Sequence, residues 1–584
     1  MPKRLVWSGQ NITQPGDKKI MTKAHSEQKS TGSHYTPPAL AAFVAKEMLK
    51  LWQPPENTRN VTVFDPALGD GELLLAVLKN LQEMDVPLSV SGYETNQSEM
   101  LFAKERIKDQ FPKVATEFHN RDFLAQSADC SSQPDLFQSR RPEQFDLVIS
   151  NPPYVRTQVM GAKKSQDIAR QFGLAGRVDL YYAFIIAIAQ YIHPEGILGI
   201  IVSNRFMTTR SGETVRAKIK ELYDIEHIWD LGDTKLFEAA VLPAVLMLKP
   251  KTFGKSKSTA KFTSIYTSDS VKNARRCKSP IEALRHSGYV KTKSNGCFRV
   301  LKGELDSGRG PKDIWRISTK ESREWLSRVC RNTAATFKDL GKIRVGVKTT
   351  ADRVFIRSDW DDMPLDKRPE LLKDLTTHHI GNPYRSEPPK SKILYPHTIL
   401  GGKRCAVNLA SYPKSKAYLE EHRNQLEDRK YVIESGRKWY EIWVPQDPKA
   451  WKKAKIVFRD IAEHPTFWLD LNGTVVNGDC YWISCSEENE LTWLALAVGN
   501  SSFIECFYDH SFNNKLYAGR RRFMTQYVEQ FPLPRIDSVP ASQLIEMSKQ
   551  TFECTTSDKK TELMYTVDKL VWKAFGFSDK EIRG

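Results

Sequence analysis

Apolar residues recur along the first part of the chain in two alternating rhythms. Short apolar runs occupy 61–64, 88–93, 114–118, 145–149, 196–202, 225–230 and 241–248, each of strand length. Between them, 71–83, 96–110, 179–192 and 212–223 carry apolar side chains three and four residues apart, the period of a helix. An earlier stretch, 37–52, shows that period through Leu40, Phe43, Val44, Met48 and Leu51, with Pro37 and Pro38 where a helix starts. Strands alternating with helices predict an α/β fold, a Rossmann-like parallel sheet wound on both faces. Ligands of such sheets sit at the carboxyl ends of the strands, near the reversal of strand order.

The rhythm breaks after Lys249-Pro250. Residues 251–335 are rich in Lys, Ser and Gly with weak periodicity, and are expected to be a basic linker and loops. From 336 onward apolar runs at 343–347, 354–356, 393–395, 456–458, 475–476 and 480–483 are scattered among aromatic residues. They predict a second, mixed α/β domain over 336–584. It ends in a helix whose stripe is Leu563, Val567, Leu570, Val571 and Phe575, stopped by Gly576. Ser578 and Glu581 are spaced as a capping box for a further turn. The expected organisation is a flexible basic arm over 1–33, an α/β domain over 34–250, the basic linker, and the second domain.

Composition narrows the function. With 584 residues, 40% apolar and 27% charged, the chain is expected to be soluble and multidomain. The longest apolar run, 180–192, is too short to span a bilayer, and the polar N-terminus predicts no signal peptide. Nine cysteines without a CxxC pair suit a reducing cytoplasm, and neither they nor the histidines form a metal motif. The net charge of +17 is unevenly placed. Residues 1–250 hold 29 basic and 29 acidic side chains, 251–350 hold 24 and 8, and 351–584 hold 34 and 33. A merely solvated face mixes both signs, so a hundred residues of nearly one sign point to phosphates as the partner.

Chemistry gathers at the strand ends. The run 61–64 leads into Asp65-Pro66-Ala67-Leu68-Gly69-Asp70-Gly71, a glycine turn before a helix N-terminus where a ligand can approach the backbone. The next strand ends at Glu94, where such sheets bind ribose hydroxyls. The third is followed by Asp122-Phe123, a carboxylate beside an aromatic ring, suited to a base. Together these predict a nucleoside-containing cofactor. After the fourth strand stands Asn151-Pro152-Pro153-Tyr154. An exocyclic amine on an aromatic ring is a poor nucleophile. An Asn oxygen and a neighbouring carbonyl can accept its two hydrogens, prolines leave no competing N–H, and Tyr154 offers a face for a planar base. The similar Gly381-Asn382-Pro383-Tyr384 follows no buried strand and reads as a turn.

These residues resemble the TaqI-like, gamma-order adenine-N6 DNA methyltransferases of bacterial type II restriction-modification systems. The likeness covers most of 33–250 and, more loosely, 335–584. His34-Tyr35-Thr36-Pro37 resembles the family's N-terminal motif, whose Tyr and Thr lie near the methionine end of S-adenosyl-L-methionine. The resemblance implies cofactor contacts from Tyr35, Thr36, Asp65, Pro66, Ala67, Gly69, Gly71, Glu94, Asp122 and Phe123. It implies catalysis by Asn151, Pro152, Pro153 and Tyr154, with Phe237 against a flipped-out base; Val178-Asp179-Leu180-Tyr181-Tyr182 resembles the segment that follows. The family's turn usually carries a small residue or Cys at Leu68 and Ser or Thr at Asp70. Segments 337–356 and 494–534 resemble its target-recognition domain, making Arg344, Lys348, Lys515, Arg520, Arg521 and Arg522 candidate DNA contacts.

The implied reaction is methyl transfer to N6 of adenine in double-stranded DNA. Cytosine-C5 transfer needs a Pro-Cys nucleophile, which the sequence lacks, and cytosine-N4 enzymes usually begin the tetrapeptide with Ser. Alternatives are transfer to RNA or a protein glutamine, or a DNA-binding defence component without turnover. The resemblance further implies a cytoplasmic, nucleoid-associated monomer and a cognate restriction endonuclease as a separate chain, because the arm before His34 is too small for a nuclease.

Overall fold

The computed structural model describes residues 35–54, 60–84, 86–132, 142–155, 161–176, 178–237, 242–251, 259–269, 273–293, 296–512, 520–579 and 581–583. The expected arm over 1–33 and His34 lie outside them. The chain divides into two units between Thr319 and Lys320.

Seven apolar runs become strands of one sheet: β1 (Val61–Asp65), β2 (Leu88–Tyr93), β3 (Ala115–His119), β4 (Phe145–Ser150), β5 (Ile192–Ser203), β6 (Tyr223–Asp230) and β7 (Pro243–Pro250). Their order is β3-β2-β1-β4-β5-β7-β6. The first five lie parallel to one another, so the order reverses between β1 and β4. β7 departs from the expected parallel sheet and runs antiparallel to both β5 and β6. Among the described residues no crossover helix separates β6 from β7, as a parallel pairing would need.

Among the described residues, the helices that accompany these strands are α1 (Pro38–Leu51), α2 (Glu72–Leu81), α3 (Gln97–Gln110), α4 (Phe123–Ser132), α5 (Ala162–Gln171), α6 (Leu180–Ile188) and α7 (Glu213–Leu222). α4 and α5 are absent from the sequence reading, because their apolar stripes are short and broken by polar residues. The sheet is buried on both faces. Val61, Val63, Leu147 and Ile149 pack with residues of α1 and α2, while Phe64, Val148, Leu198 and Ile200 pack with those of α6 and α7.

Where linker and loops are expected, the sheet continues. β8 (Lys261–Thr267), β9 (Arg275–Cys277), α8 (Pro280–Ala283), β10 (Gly288–Thr292), β11 (Cys297–Asp306) and β12 (Arg316–Ser318) extend it from β6 in the order β8-β11-β10-β9, with β12 on β11. The reading failed because these strands are apolar on alternate positions only and are separated by Lys- and Ser-rich turns. Arg216, 1% exposed, ties the segment down by donating to the carbonyls of Lys312 and Asp313 as well as Phe206 and Thr209. Trp315 is buried against Phe206.

The second unit is mixed α/β, as expected, on two four-stranded sheets. One pairs Ile343–Val345, Cys480–Ser484, Lys455–Arg459 and Phe467–Asp470; the other pairs Ile356–Arg357, Ser391–Leu394, Leu372–Thr376 and Val475–Val476. Trp451, Trp468 and Trp482 fill the core, and Lys455 is buried with Asp470 at 2.8 Å. Helices Glu490–Gly499, Ser502–Phe512, Val539–Glu553 and Ser557–Ala574 close the chain. Gly576 takes φ +82 where the last helix ends, and the Glu581 carboxylate accepts from the Ser578 backbone and hydroxyl, the return half of a capping box, while the Glu581 N–H bonds the Ser578 carbonyl rather than its side chain. Tyr384 follows an irregular turn, not a strand end of the main sheet.

Candidate active site

β1 and β4 are neighbours at the reversal of strand order, and both end on polar residues. The turn after β1 is held from within. Asp65 is fully buried; one carboxylate oxygen accepts from the Ala67 backbone at 2.9 Å, and burial pushes its pKa up to about 7. Gly69 and Gly71 take φ +51 and +79, conformations that suit glycine. The two glycines serve different ends. A Cβ on Gly71 would come within 3.0 Å of the Ala103 Cβ on α3, whereas one on Gly69 would point into open space. The first permits close packing and the second leaves room beside the turn.

Glu94, at the end of β2, accepts from the Gly69 backbone at 3.0 Å and from Asn96 at 2.8 Å. The carboxylate has lone pairs beyond these two bonds and stands beside the open side of the turn. The glycine-lined space and this acceptor fit a nucleoside cofactor. Asp122 caps α4 by accepting from the Leu124 backbone at 2.9 Å. Phe123, expected against an adenine, is 2% exposed and packs among Phe64, Tyr93, Phe184 and Tyr191.

The two departures from the family pattern have partners. Leu68 turns inward, 3% exposed, and lies over Gly92, which has no side chain to obstruct it. Asp70 pairs with Arg106 at 3.0 Å, and the same guanidinium reaches Glu72 at 2.6 Å. The added carboxylate is thus neutralised within the fold. Arg106 was not singled out by the sequence; its place seven positions past Glu99, one face of α3 shared with Ala103, was the available signal.

After β4, Pro152 is buried and Asn151, Pro153 and Tyr154 are half-buried. The Asn151 amide nitrogen donates to the Thr36 hydroxyl at 3.1 Å, and the Tyr154 hydroxyl donates to the Asn151 oxygen at 2.9 Å. This brings the N-terminal threonine to the tetrapeptide across 115 positions of sequence. Burial pushes the Tyr154 pKa up, so the hydroxyl keeps its proton. Tyr181, on α6, meets the Tyr154 ring edge-on at 6.0 Å and donates to the Ser203 carbonyl at 3.2 Å. Tyr35 is 48% exposed and donates to Glu99 at 2.6 Å.

Phe237, read as a contact to a flipped base, is 7% exposed and packs in the core with Trp229 and Leu231. Two arginines of the second unit are already matched by carboxylates. Arg521 pairs with Asp509 at 2.8 Å and Arg522 with Asp460 at 3.1 Å, so neither offers an uncompensated charge. Lys348 and Arg520 are exposed, and Arg344 lies over the Trp482 ring at 5.3 Å. Lys515 lies outside the described residues. Among the described residues there is no cluster able to hold a metal, and no helix is long and apolar enough to cross a membrane.

Comparison with known proteins agrees with this layout. A family model described as Eco57I restriction-modification methylase matches residues 64–237, and one described as TaqI-like C-terminal specificity domain matches 390–533. Type II methyltransferase M.BanIII of Aneurinibacillus aneurinilyticus is 36% identical over 571 residues, 94% of this chain and 98% of that protein. Type II methyltransferase M.BstVI of Geobacillus stearothermophilus is 24% identical over 90% of this chain and 93% of its own. The fold is shared with DrdV, solved as a DNA complex (TM-score 0.53, 11% identity, 94% of this chain and 61% of that one). It is also shared with a nuclease-deletion mutant of the type ISP restriction-modification enzyme LlaGI (TM-score 0.51, 11% identity, 92% of this chain and 48% of that one).

Proposed function

This chain belongs to the type II restriction-modification DNA methyltransferases, and from that premise we propose that it methylates N6 of a flipped-out adenine in double-stranded DNA. S-adenosyl-L-methionine supplies the methyl group, and the turn 65–71 with Glu94 would hold it.

The reading is carried by the Thr36–Asn151–Tyr154 chain at the end of β4. With its nitrogen committed to Thr36, the Asn151 amide presents its oxygen to Tyr154. That oxygen has two lone pairs, one for Tyr154 and one for an amino hydrogen of the target base. The Pro152 carbonyl accepts the second hydrogen, and the two acceptors localise the lone pair of the attacking nitrogen. Pro153 holds the turn, and the Tyr154 ring, braced by Tyr181, is the face on which the adenine stacks. Phe237 joins it if the segment after β6 shifts when DNA binds. Extruding the base costs a few kcal/mol, offset by stacking and phosphate contacts. No strong base is needed, since the spare proton leaves to solvent after transfer. Lys348, Arg344 and Arg520 remain the candidate DNA contacts of the second unit.

On this reading the enzyme acts as a monomer in the bacterial cytoplasm, one strand at a time, and shields DNA from an endonuclease carried on another chain. Methylation-sensitive sequencing of DNA from a host without adenine methylases, expressing the wild type or Asn151→Ala, tests it. Methyladenine at one short sequence, lost in the variant, is the expected result. Methylcytosine, or no modified base with soluble wild-type protein, would overturn it.

A further inference from the structure

The basic hundred residues acquire a place in the fold through β9, β10 and β11. Pairing sets Arg276 on β9 beside Lys291 on β10, and Tyr289 on β10 opposite Arg299 on β11. Side chains alternate across a sheet, so these four share one face, and all four are exposed. The other face carries Val290, Phe298 and Val300, buried with Cys277, Ala283 and Leu284. One side is thus packed and the other is open.

The open side is of one sign. Arg276, Lys291 and Arg299 have no acidic partner among the described residues. The nearest acidic residues along the chain are committed or turned away: Glu282 accepts from the Lys278 backbone at 2.6 Å, and Glu304 alternates onto the packed side with Val300. Arg299 lies over the Tyr289 ring at 5.6 Å, which steadies it. A basic edge strand can simply block pairing with other sheets. That accounts for Arg276, but Lys291 and Arg299 lie on interior strands and need no such protection. Adjacent strands ~4.8 Å apart and alternate residues ~7 Å apart bring the three cations within about 8 Å of their neighbours.

Resting on the DNA reading above, we propose that this open face of β9–β10–β11 is a docking surface for the phosphate backbone of duplex DNA beside the target site. It reads no sequence and adds affinity that depends on counterion release. From β4, which carries the catalytic segment, to β10 is six strand steps, roughly 29 Å along the sheet, less than one turn of duplex. The face therefore lies within one turn of duplex of the strand that carries the catalytic segment.

The test compares wild type with the triple variant Arg276→Gln, Lys291→Gln, Arg299→Gln, and with a control triple, Lys104→Gln, Lys108→Gln, Lys113→Gln, taken from exposed lysines elsewhere on the unit. Each is titrated with a 40-base-pair duplex by fluorescence anisotropy at a series of KCl concentrations, with thermal melting as the folding check. The slope of log affinity against log salt is expected to fall by about 2 to 3 in the first variant, at roughly 0.9 per phosphate contact, and by less than 1 in the control. An unchanged slope with intact melting overturns the proposal, as does an equal drop in the control. The same titration is run with a 40-nucleotide single-stranded RNA, and a first variant impaired only toward that RNA overturns the proposal in favour of that partner. Wild type that binds the duplex without salt dependence removes the DNA reading itself, which separates the two failures.

Discussion

Tyr154 and Asn151 act as a pair, and the pair can be separated by substitution. On the proposed reading the ring would supply a stacking face, while the hydroxyl donates to the Asn151 oxygen at 2.9 Å. Tyr154→Phe keeps the face and is expected to lower kcat by about 10-fold or less, since one neutral hydrogen bond contributes about 1 kcal/mol. Tyr154→Ala removes both and is expected to lower it by a further order of magnitude or more, as loss of base stacking costs about 1–3 kcal/mol. Steady-state rates on methyl-accepting duplex decide between them; equal losses would place the whole effect in the hydroxyl. Asp65 gives a prediction in pH. Burial raises its folded pKa from 3.8 to about 7, so the unfolded chain ionises first as pH rises. The protonated form favours folding below about pH 4, and that advantage is lost as pH climbs toward 7. Asp230, raised to about 6 by burial despite bonds from Asn204 and Tyr266, acts in the same direction. Asp65→Asn is therefore expected to flatten the fall in melting temperature between about pH 4 and 7. A wild-type slope matched by the variant would rule Asp65 out as its source.

At the scale of elements, the β1–α2 turn depends on one glycine for packing and another for access. Gly71→Ala meets both a left-handed φ and Ala103, and is expected to cost about 1–3 kcal/mol of stability. Gly69→Ala meets only the φ and is expected to cost about 1 kcal/mol while weakening S-adenosyl-L-methionine binding. Melting and calorimetric titration of both variants check the contrast; equal effects in both assays would refute the division of roles. Arg106→Ala leaves Asp70 and Glu72 unmatched at the start of α2, where the largely buried pairs contribute roughly 1 kcal/mol. Strand ends, the glycine turn and Asn151–Tyr154 were legible because each is a local pattern. Arg106 and Glu99 were not, because their partners Asp70 and Tyr35 lie on other elements of the chain; Tyr181 was legible as part of 178–182, but its contact with Tyr154 was not.

For the whole molecule, the first unit runs to Thr319 and takes in most of the stretch expected as linker over 251–335, with a consequence for dissection. A fragment ending at 250 would strip β8 from β6 and expose one edge of the sheet together with the core that Phe262 and Ile265 help to fill. Residues 1–319 are expected to fold cooperatively and bind S-adenosyl-L-methionine, and residues 1–250 to aggregate or melt without a cooperative transition. Circular dichroism melting of the two fragments is the measurement, and a cooperative 1–250 fragment would show the extension to be dispensable. The charge count works at this scale too: its excess in 251–350 was visible in the sequence, but its division into one open face and a packed one was not.

The sequence alone determined what rests on neighbours in the chain: the alternating strands and helices, the glycine turn, the tetrapeptide after β4 and the final helix with its cap. Periodicity and turn chemistry are local, so they are written within a few residues. Only the tertiary structure decided which groups face one another. Thr36 reaches Asn151, Arg106 answers Asp70, Asp460 and Asp509 take the arginines read as DNA contacts, and a basic stretch read as linker pairs onto β6 as sheet. Strand pairing and ion pairing join residues far apart in the chain, and the side-chain types permit many such unions before packing selects one.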